Sequence, residues 1–196
     1  MSSKVVLSLA GSILVLALLP AFAGQTAAPA AFKIDPVHSS VIFRVKHMNV
    51  SYFWGRFNDI AGTVAWDAAK PEASSFDVQI KTESVDSKDP KRDNHLKSPD
   101  FFNAKQFPTL AFKSKSVKKL DDTTFEVGGD LTLHGVTKPL TAKVEMTGTG
   151  KGMRGGSLVG FETTFEIKRS DFGMNFMKGP LGDDVRIVVS LEAGHE

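Results

Sequence analysis

The chain of 196 residues carries 24 Lys and Arg against 22 Asp and Glu, a formal net charge of +2 with the signs interspersed. That length fits one domain or a small pair, and the mixed charge leaves no basic stripe for nonspecific nucleic-acid binding. Cysteine is absent, which removes disulfides, thiolate metal sites and cysteine nucleophiles together, while 15 Phe against two Trp and one Tyr supply large apolar rings that need no hydrogen-bond partner.

At the N-terminus, Lys4 precedes an apolar run from Val5 to Leu19, followed by Pro20 and the small-x-small pattern Ala21-Phe22-Ala23. This predicts a Sec-type signal peptide over residues 1–23, cleaved after Ala23. The run falls short of the roughly 20 residues a membrane-crossing helix needs. With no Cys to carry a lipid anchor, the mature protein is expected free in a bacterial periplasm. Residues 24–31, rich in Ala, Pro, Gln and Thr, are read as a flexible lead into a domain over 32–192, with 193–196 as a tail.

From Phe32 onward the dominant signal is period-2 alternation interrupted by turn residues. Val41, Phe43, Val45 and His47 share one face of the first long strand, opposite Ser40, Ile42, Arg44 and Lys46. A second strand is expected over Gly55 to Trp66, and Phe76, Val78 and Ile80 set the phase of a third. Segments near Thr109 to Lys119 and Thr123 to Leu133 follow, then Leu140, Ala142, Val144 and Met146 face inward in another. Late in the chain Phe161, Thr163, Phe165 and Ile167 oppose three charged residues and Thr164, and Val185, Ile187, Val189 and Leu191 share the inner face of the last strand. About eight strands with one apolar face make an all-β antiparallel barrel. Because the outer faces are charged, and Lys or Arg at mid-bilayer costs about 2–4 kcal/mol each, the apolar face is expected inside and the barrel outside any membrane.

One interval breaks the alternation. Asp89 is an N-cap type residue, Pro90 suits the first helical position, and no β-branched residue follows as far as Lys97, which predicts a short helix. Ser98-Pro99-Asp100-Phe101-Phe102 predicts a second cap and one further turn, both on the connection after the third strand.

An eight-stranded barrel is filled by its own side chains or holds one ligand. Phe43, Phe112, Phe161 and Phe165, with Val45, are expected to line the interior, where Gly62, Ala111, Gly129 and Ala142 leave space. His47 follows the inward phase and is read as an interior histidine. Three apolar clusters are assigned to loops: Met48, Tyr52, Phe53 and Trp54; Phe101, Phe102 and Phe107; and Phe172, Met174, Phe176 and Met177. They are read as walls or lids of a mouth, with Arg92, Asn94 and His95 as polar contacts for a head group. Since hydrogen-bonded ladders leave no way in along the strands, access is expected at an end.

Five His occur without HxH, HExxH or a two-His helical pair, so no metal site is expected. Asp35, His38 and Ser39 lie too close along an extended segment to form a nucleophilic relay. No G-x-S-x-G or phosphate-binding glycine loop appears, so no catalytic residue is assigned.

The sequence resembles the YceI family of periplasmic proteins. The resemblance rests on Ile34-Asp35-Pro36-Val37-His38-Ser39 with Phe43 and His47, and on Arg92-Asp93-Asn94-His95-Leu96-Lys97-Ser98-Pro99-Asp100-Phe101-Phe102. It continues through Phe107-Pro108, Phe112, the stretch from Gly129 to Pro139, and Ile167-Lys168-Arg169-Ser170-Asp171-Phe172-Gly173. It implies an extended lipocalin-like barrel of eight strands whose interior holds a long isoprenoid or related lipid. The expectation carried forward is a carrier or store for an isoprenoid or prenyl quinone, without another cofactor. A docking partner of a membrane redox protein, an enzyme acting on the bound lipid through Arg92, Asp93 and His95, and a homodimer stand as alternatives.

Overall fold

A computed structural model describes residues 28–195, so the signal peptide expected over 1–23 lies outside the described residues. The alternating segments form eleven strands in chain order, β1 (Ala30–Ile34), β2 (Ser40–His47), β3 (Ser51–Phe57), β4 (Ile60–Trp66), β5 (Ser75–Lys81), β6 (Val85–Asp86), β7 (Thr109–Lys119), β8 (Thr124–Leu133), β9 (Val136–Lys151), β10 (Ser157–Lys168) and β11 (Leu181–His195). All named pairings are antiparallel, and the order β1-β4-β5-β7-β8-β9-β10-β11 closes because β11 also pairs with β1. β2, β3 and β6 continue the lines of β1, β4 and β5 past short interruptions, so the wall is a closed barrel of eight staves.

Two of these interruptions have a local cause in the chain. Between β1 and β2, Asp35 Oδ1 accepts the backbone N–H of Val37 at 2.7 Å, a side-chain turn that suits the following Pro36. Ser39 then restores pairing with its side chain: its hydroxyl donates to Glu192 O at 3.3 Å and accepts from Glu192 N–H at 3.1 Å. Asp35, His38 and Ser39 therefore shape a strand kink, and the serine oxygen is engaged with backbone. The stave expected as one strand over Gly55 to Trp66 instead begins at Ser51 and breaks at residues 58–59, where Asn58 N–H turns aside to Ser84 O.

The helix forms as the sequence dictates. α1 (Pro90–Leu96) starts at Asp89, whose carboxylate accepts Arg92 N–H at 2.9 Å, and buries Leu96 against the barrel. That contact, before any other, holds the Asp89 carboxyl below its ordinary pKa. The residues after it make the expected further turn, with Phe101 N–H on Ser98 O.

At one end, Trp66 meets Phe125 and Phe161 edge-on at ring-centroid distances of 5.0 Å each, and Phe161 meets Phe76 at 5.1 Å. These rings make a floor. The other end carries α1, the β2–β3 hairpin and the loop between β10 and β11. Two terminal expectations change. β1 starts at Ala30, inside the segment read as flexible, and β11 runs to His195, so residues from 193 belong to the wall. Ala193 is fully buried and pairs with Val159 of β10 and Ile34 of β1, where alternation alone shows too few residues to register a strand end. Among the described residues no helix is long and apolar enough to cross a membrane.

Candidate functional site

The barrel encloses a cavity of about 480 Å³ above the aromatic floor. Phe43, Phe112, Phe161, Phe165 and Val45 all line it, in the phase their strands require. Phe43 fits because β3 offers Gly55 directly opposite: a Cβ there would lie 2.4 Å from Phe43 Cζ. Gly129 plays the same part for β7, since a Cβ there would stand 2.4 Å from Lys113 O and 2.8 Å from Phe112 Cζ. Ala111, expected inside, does border the cavity, although its pairing with Gln79 and Thr132 sets it in the phase opposite to Phe112.

Apart from Glu162 on β10, the solvent-exposed lining residues gather at the end opposite the floor and mark the mouth: His47, Ser51, Tyr52, Arg92, His95 and Met177. His47 is therefore a rim residue, not an interior one, because β2 reaches the barrel end at that position. Phe102 inserts from the α1 connection between Phe43 and Phe57, at 6.1 and 5.3 Å. His95, Phe101 and Phe176 form an edge-on triangle with centroids 5.0 to 5.3 Å apart, which joins this connection to the β10–β11 loop.

Four expected lining residues fall elsewhere. Trp54 points outward, because β3 already begins at Ser51 and gives Phe53 and Phe57 the inner phase. Its ring lies 5.7 Å from the Arg44 guanidinium, which also covers Tyr52 at 3.9 Å. Phe172 is buried outside the cavity, drawn beneath the β8–β9 hairpin where His134 Nδ1 donates to its carbonyl at 3.0 Å. Phe176 stays on the outer rim in the aromatic triangle, and Asn94 sits on the solvent side of α1. Phe101, Phe102 and Met174 do border the cavity.

The polar residues of α1 are engaged with their neighbours. Arg92 donates through Nε to Ser87 Oγ at 2.9 Å and lies over the Phe53 ring at 4.5 Å. Asp93 Oδ1 accepts Ser87 N–H at 2.7 Å and also the Ser87 hydroxyl, and His95 Nε2 meets Asp100 Oδ2 at 2.8 Å. This knot fastens the helix to β6, a structural use that competes with any acid–base role. Arg92 also lines the cavity and retains donors beyond those spent on Ser87, since a guanidinium has five.

Arg169, unassigned at the sequence level beyond its place in the family resemblance, organises the β10–β11 loop. Its side chain is buried and donates to four carbonyls: Gly182 at 2.9 Å, Met174 at 2.8 Å, Phe176 at 2.7 Å and Leu181 at 3.1 Å. Burial pulls its pKa below the ordinary arginine value, with the Asp183 charge opposing. The sequence signal was an Arg beside a Gly-bounded loop, but planar donors reaching several backbone carbonyls become visible only once the loop is folded.

The ladder is also less complete than period-2 reasoning requires. Pairing of β9 with β10 runs from Ser157↔Lys151 to Thr163↔Val144 and stops; among the described residues no pairing joins 164–168 to 136–143. Pro139, which cannot donate to a ladder, lies in that stretch of β9. Along this seam no β9–β10 ladder closes the wall, contrary to the expectation of hydrogen-bonded strands throughout.

The family model for the YceI-like domain matches residues 32–193, nearly the whole barrel. The chain belongs to that family. A UPF0312 protein of Azotobacter vinelandii is 41% identical over 172 residues, covering 87% of this chain and 89% of that one. Among solved structures, Burkholderia cenocepacia BcnA aligns with a TM-score of 0.75 at 27% identity, over 82% of this YceI-like chain and 99% of BcnA. A polyisoprenoid binding domain from Saccharophagus degradans, implicated in plant cell wall breakdown, aligns at 0.67 over 85% of this chain and 99% of that domain. At 13% identity, that second likeness is one of fold.

Proposed function

We propose that this YceI-like protein binds a long apolar lipid, an isoprenoid or prenyl quinone, inside its barrel and carries or stores it in a bacterial periplasm. The observation that carries the reading is the cavity wall. Phe112, Phe165, Val185, Ile187 and Val189 lie within strands, yet each is only half-buried because its side chain faces about 480 Å³ of space. That volume lies within the roughly 300–1,000 Å³ typical of small-molecule sites. Each buried CH₂ contributes about 0.8 kcal/mol, so two or three five-carbon units offer about 8–12 kcal/mol gross against the 8.2 that a micromolar dissociation constant requires. The family membership and the fold shared with a domain described as polyisoprenoid binding support the same ligand class.

In this reading the tail points to the Trp66 floor and the head group stays at the mouth, within reach of Arg92, His95 and His47. The chain has two Trp, and Trp54→Phe leaves Trp66 as the single emitter. A farnesol analogue brominated at the end of its tail should quench that emission saturably, whereas an analogue brominated beside the hydroxyl should not. Equal quenching by both, or none by either, contradicts the assigned orientation or the binding itself.

A further inference from the structure

The seam between β9 and β10 is a bounded window. At its lower edge the Thr163 hydroxyl donates to Lys143 O at 2.6 Å, immediately beyond the last ladder pair. At its upper edge His134 Nδ1 donates to Phe172 O at 3.0 Å, tying the β8–β9 hairpin to the turn that follows β10. Between these latches the main chains of 164–168 and 136–143 are unpaired with each other. A second recess, of about 320 Å³, lies against the opening and shares Leu131, Leu140 and Ile167 with the main cavity. Apolar side chains thus run continuously from the interior to the outer surface, where Lys138, Glu166, Lys168, Asp171 and Asp184 surround the recess with mixed charge.

We propose that this window is a side portal through which a linear isoprenoid chain enters and leaves the barrel laterally. The inference rests on the lipid-binding reading above. A way through a barrel wall elsewhere must break ladder hydrogen bonds, and an unpaired buried backbone group costs about 1–3 kcal/mol. Here the ladder is already absent, so opening needs only the two side-chain latches to yield. The mouth, by contrast, is bordered by the aromatic triangle of His95, Phe101 and Phe176, and Arg169 fixes the adjoining loop through four carbonyls. A chain lying in the window also leaves the head group at the mouth undisturbed.

Extending the register beyond Thr163↔Val144 sets Glu166 opposite Thr141, both exposed on the outer face. The protein has no cysteine, so Thr141→Cys with Glu166→Cys introduces one defined pair. A disulfide needs the Cα atoms within about 7 Å; if the seam is wider, a short bis-maleimide makes the bridge. The probe is an anthraniloyl ester of geranylgeraniol, and the readout is its rate of transfer from the full-length protein to excess phosphatidylcholine vesicles. Bridging should slow transfer at least tenfold, with reductant restoring the rate for the disulfide. A control bridge between Thr132→Cys and Thr137→Cys, already paired across β8 and β9 with their hydroxyls 2.8 Å apart, should leave it unchanged. Thr163→Val, which removes the lower latch, should accelerate transfer severalfold. An unchanged rate on bridging the seam overturns the portal while leaving lipid binding intact; a probe that binds neither bridged nor unbridged protein overturns both readings.

Discussion

Phe161→Ala tests whether the cavity has the floor described above. Phe161 is 1% exposed, touches the cavity from below and meets Trp66 and Phe76 edge-on at 5.0 and 5.1 Å. Burying a phenylalanine side chain contributes about 1.5–3 kcal/mol, and each edge-on pair adds about 0.5–1.5 kcal/mol, so the empty protein should lose about 4 kcal/mol. That agrees with the roughly 3–5 kcal/mol typical of Phe→Ala in a packed core. It is a large share of the roughly 5–15 kcal/mol of a whole domain, yet leaves most such domains folded. The vacated space joins the cavity, which then extends toward Trp66 and Phe125. Preference should therefore shift to a chain longer by about one five-carbon unit, each unit contributing about 4 kcal/mol gross, and that ligand should restore part of the lost stability by mass action. Urea unfolding of the empty protein gives the first quantity, and a titration series from geraniol to geranylgeraniol gives the second. A loss below about 1 kcal/mol, outside the range for a packed aromatic, together with an unchanged chain-length preference, would refute the floor.

Three further outcomes follow from individual contacts. Arg169→Ala strips donors from the carbonyls of Gly182, Met174, Phe176 and Leu181 and should cost about 3 kcal/mol in urea unfolding, with faster hydrogen exchange confined to residues 173–182; unaltered protection there contradicts the assignment, and Arg169→Lys should rescue only partly because an ammonium cannot reach the same set. His38 Nδ1 lies 2.8 Å from Asp35 Oδ2, a hydrogen bond that raises the His38 pKa above 6.5 and is the first cause lowering that of Asp35 below 3.8. The stabilisation from His38 is thus fully present below 6.5 and lost as pH rises through its raised folded value, while that from Asp35 is present above 3.8 and lost as pH falls through its depressed one. NMR titration should find the His38 value falling toward 6.5 in Asp35→Asn, and no change contradicts the pairing. Gly55→Ala puts a methyl 2.4 Å from Phe43 Cζ and should cost about 1–3 kcal/mol while pushing the ring into the cavity, which lowers the length of chain that binds; undiminished capacity means Phe43 does not bound the site.

The barrel was legible because alternation is local: β2, β5, β10 and β11 each announce an inner face within a few residues. The helix was equally legible from Asp89 and Pro90, whose capping role depends on neighbours in the chain. Trp54 and His47 were misplaced for a single reason. Period 2 gives a phase but not a strand end, so a one-face reading neither shows that β3 starts before Tyr52 nor that β2 delivers His47 to the rim. Phe172 and Arg169 depend on distant partners, the His134 hairpin and the carbonyls of the folded loop, and no spacing encodes those. The β9–β10 seam left a trace in Pro139, a residue that disfavours a central ladder, but its extent follows from the paths of both strands.

The central claim, that the cavity carries an isoprenoid chain, is tested most directly by native mass spectrometry of the full chain expressed with residues 1–23, released by osmotic shock and sprayed without detergent. The expected result is a mature protein beginning at Gly24 with a stoichiometric mass excess that, on extraction, proves to be a prenyl alcohol, polyprenyl lipid or prenyl quinone. A barrel that is empty from every preparation, or one that holds a non-isoprenoid ligand in stoichiometric amount, would contradict it.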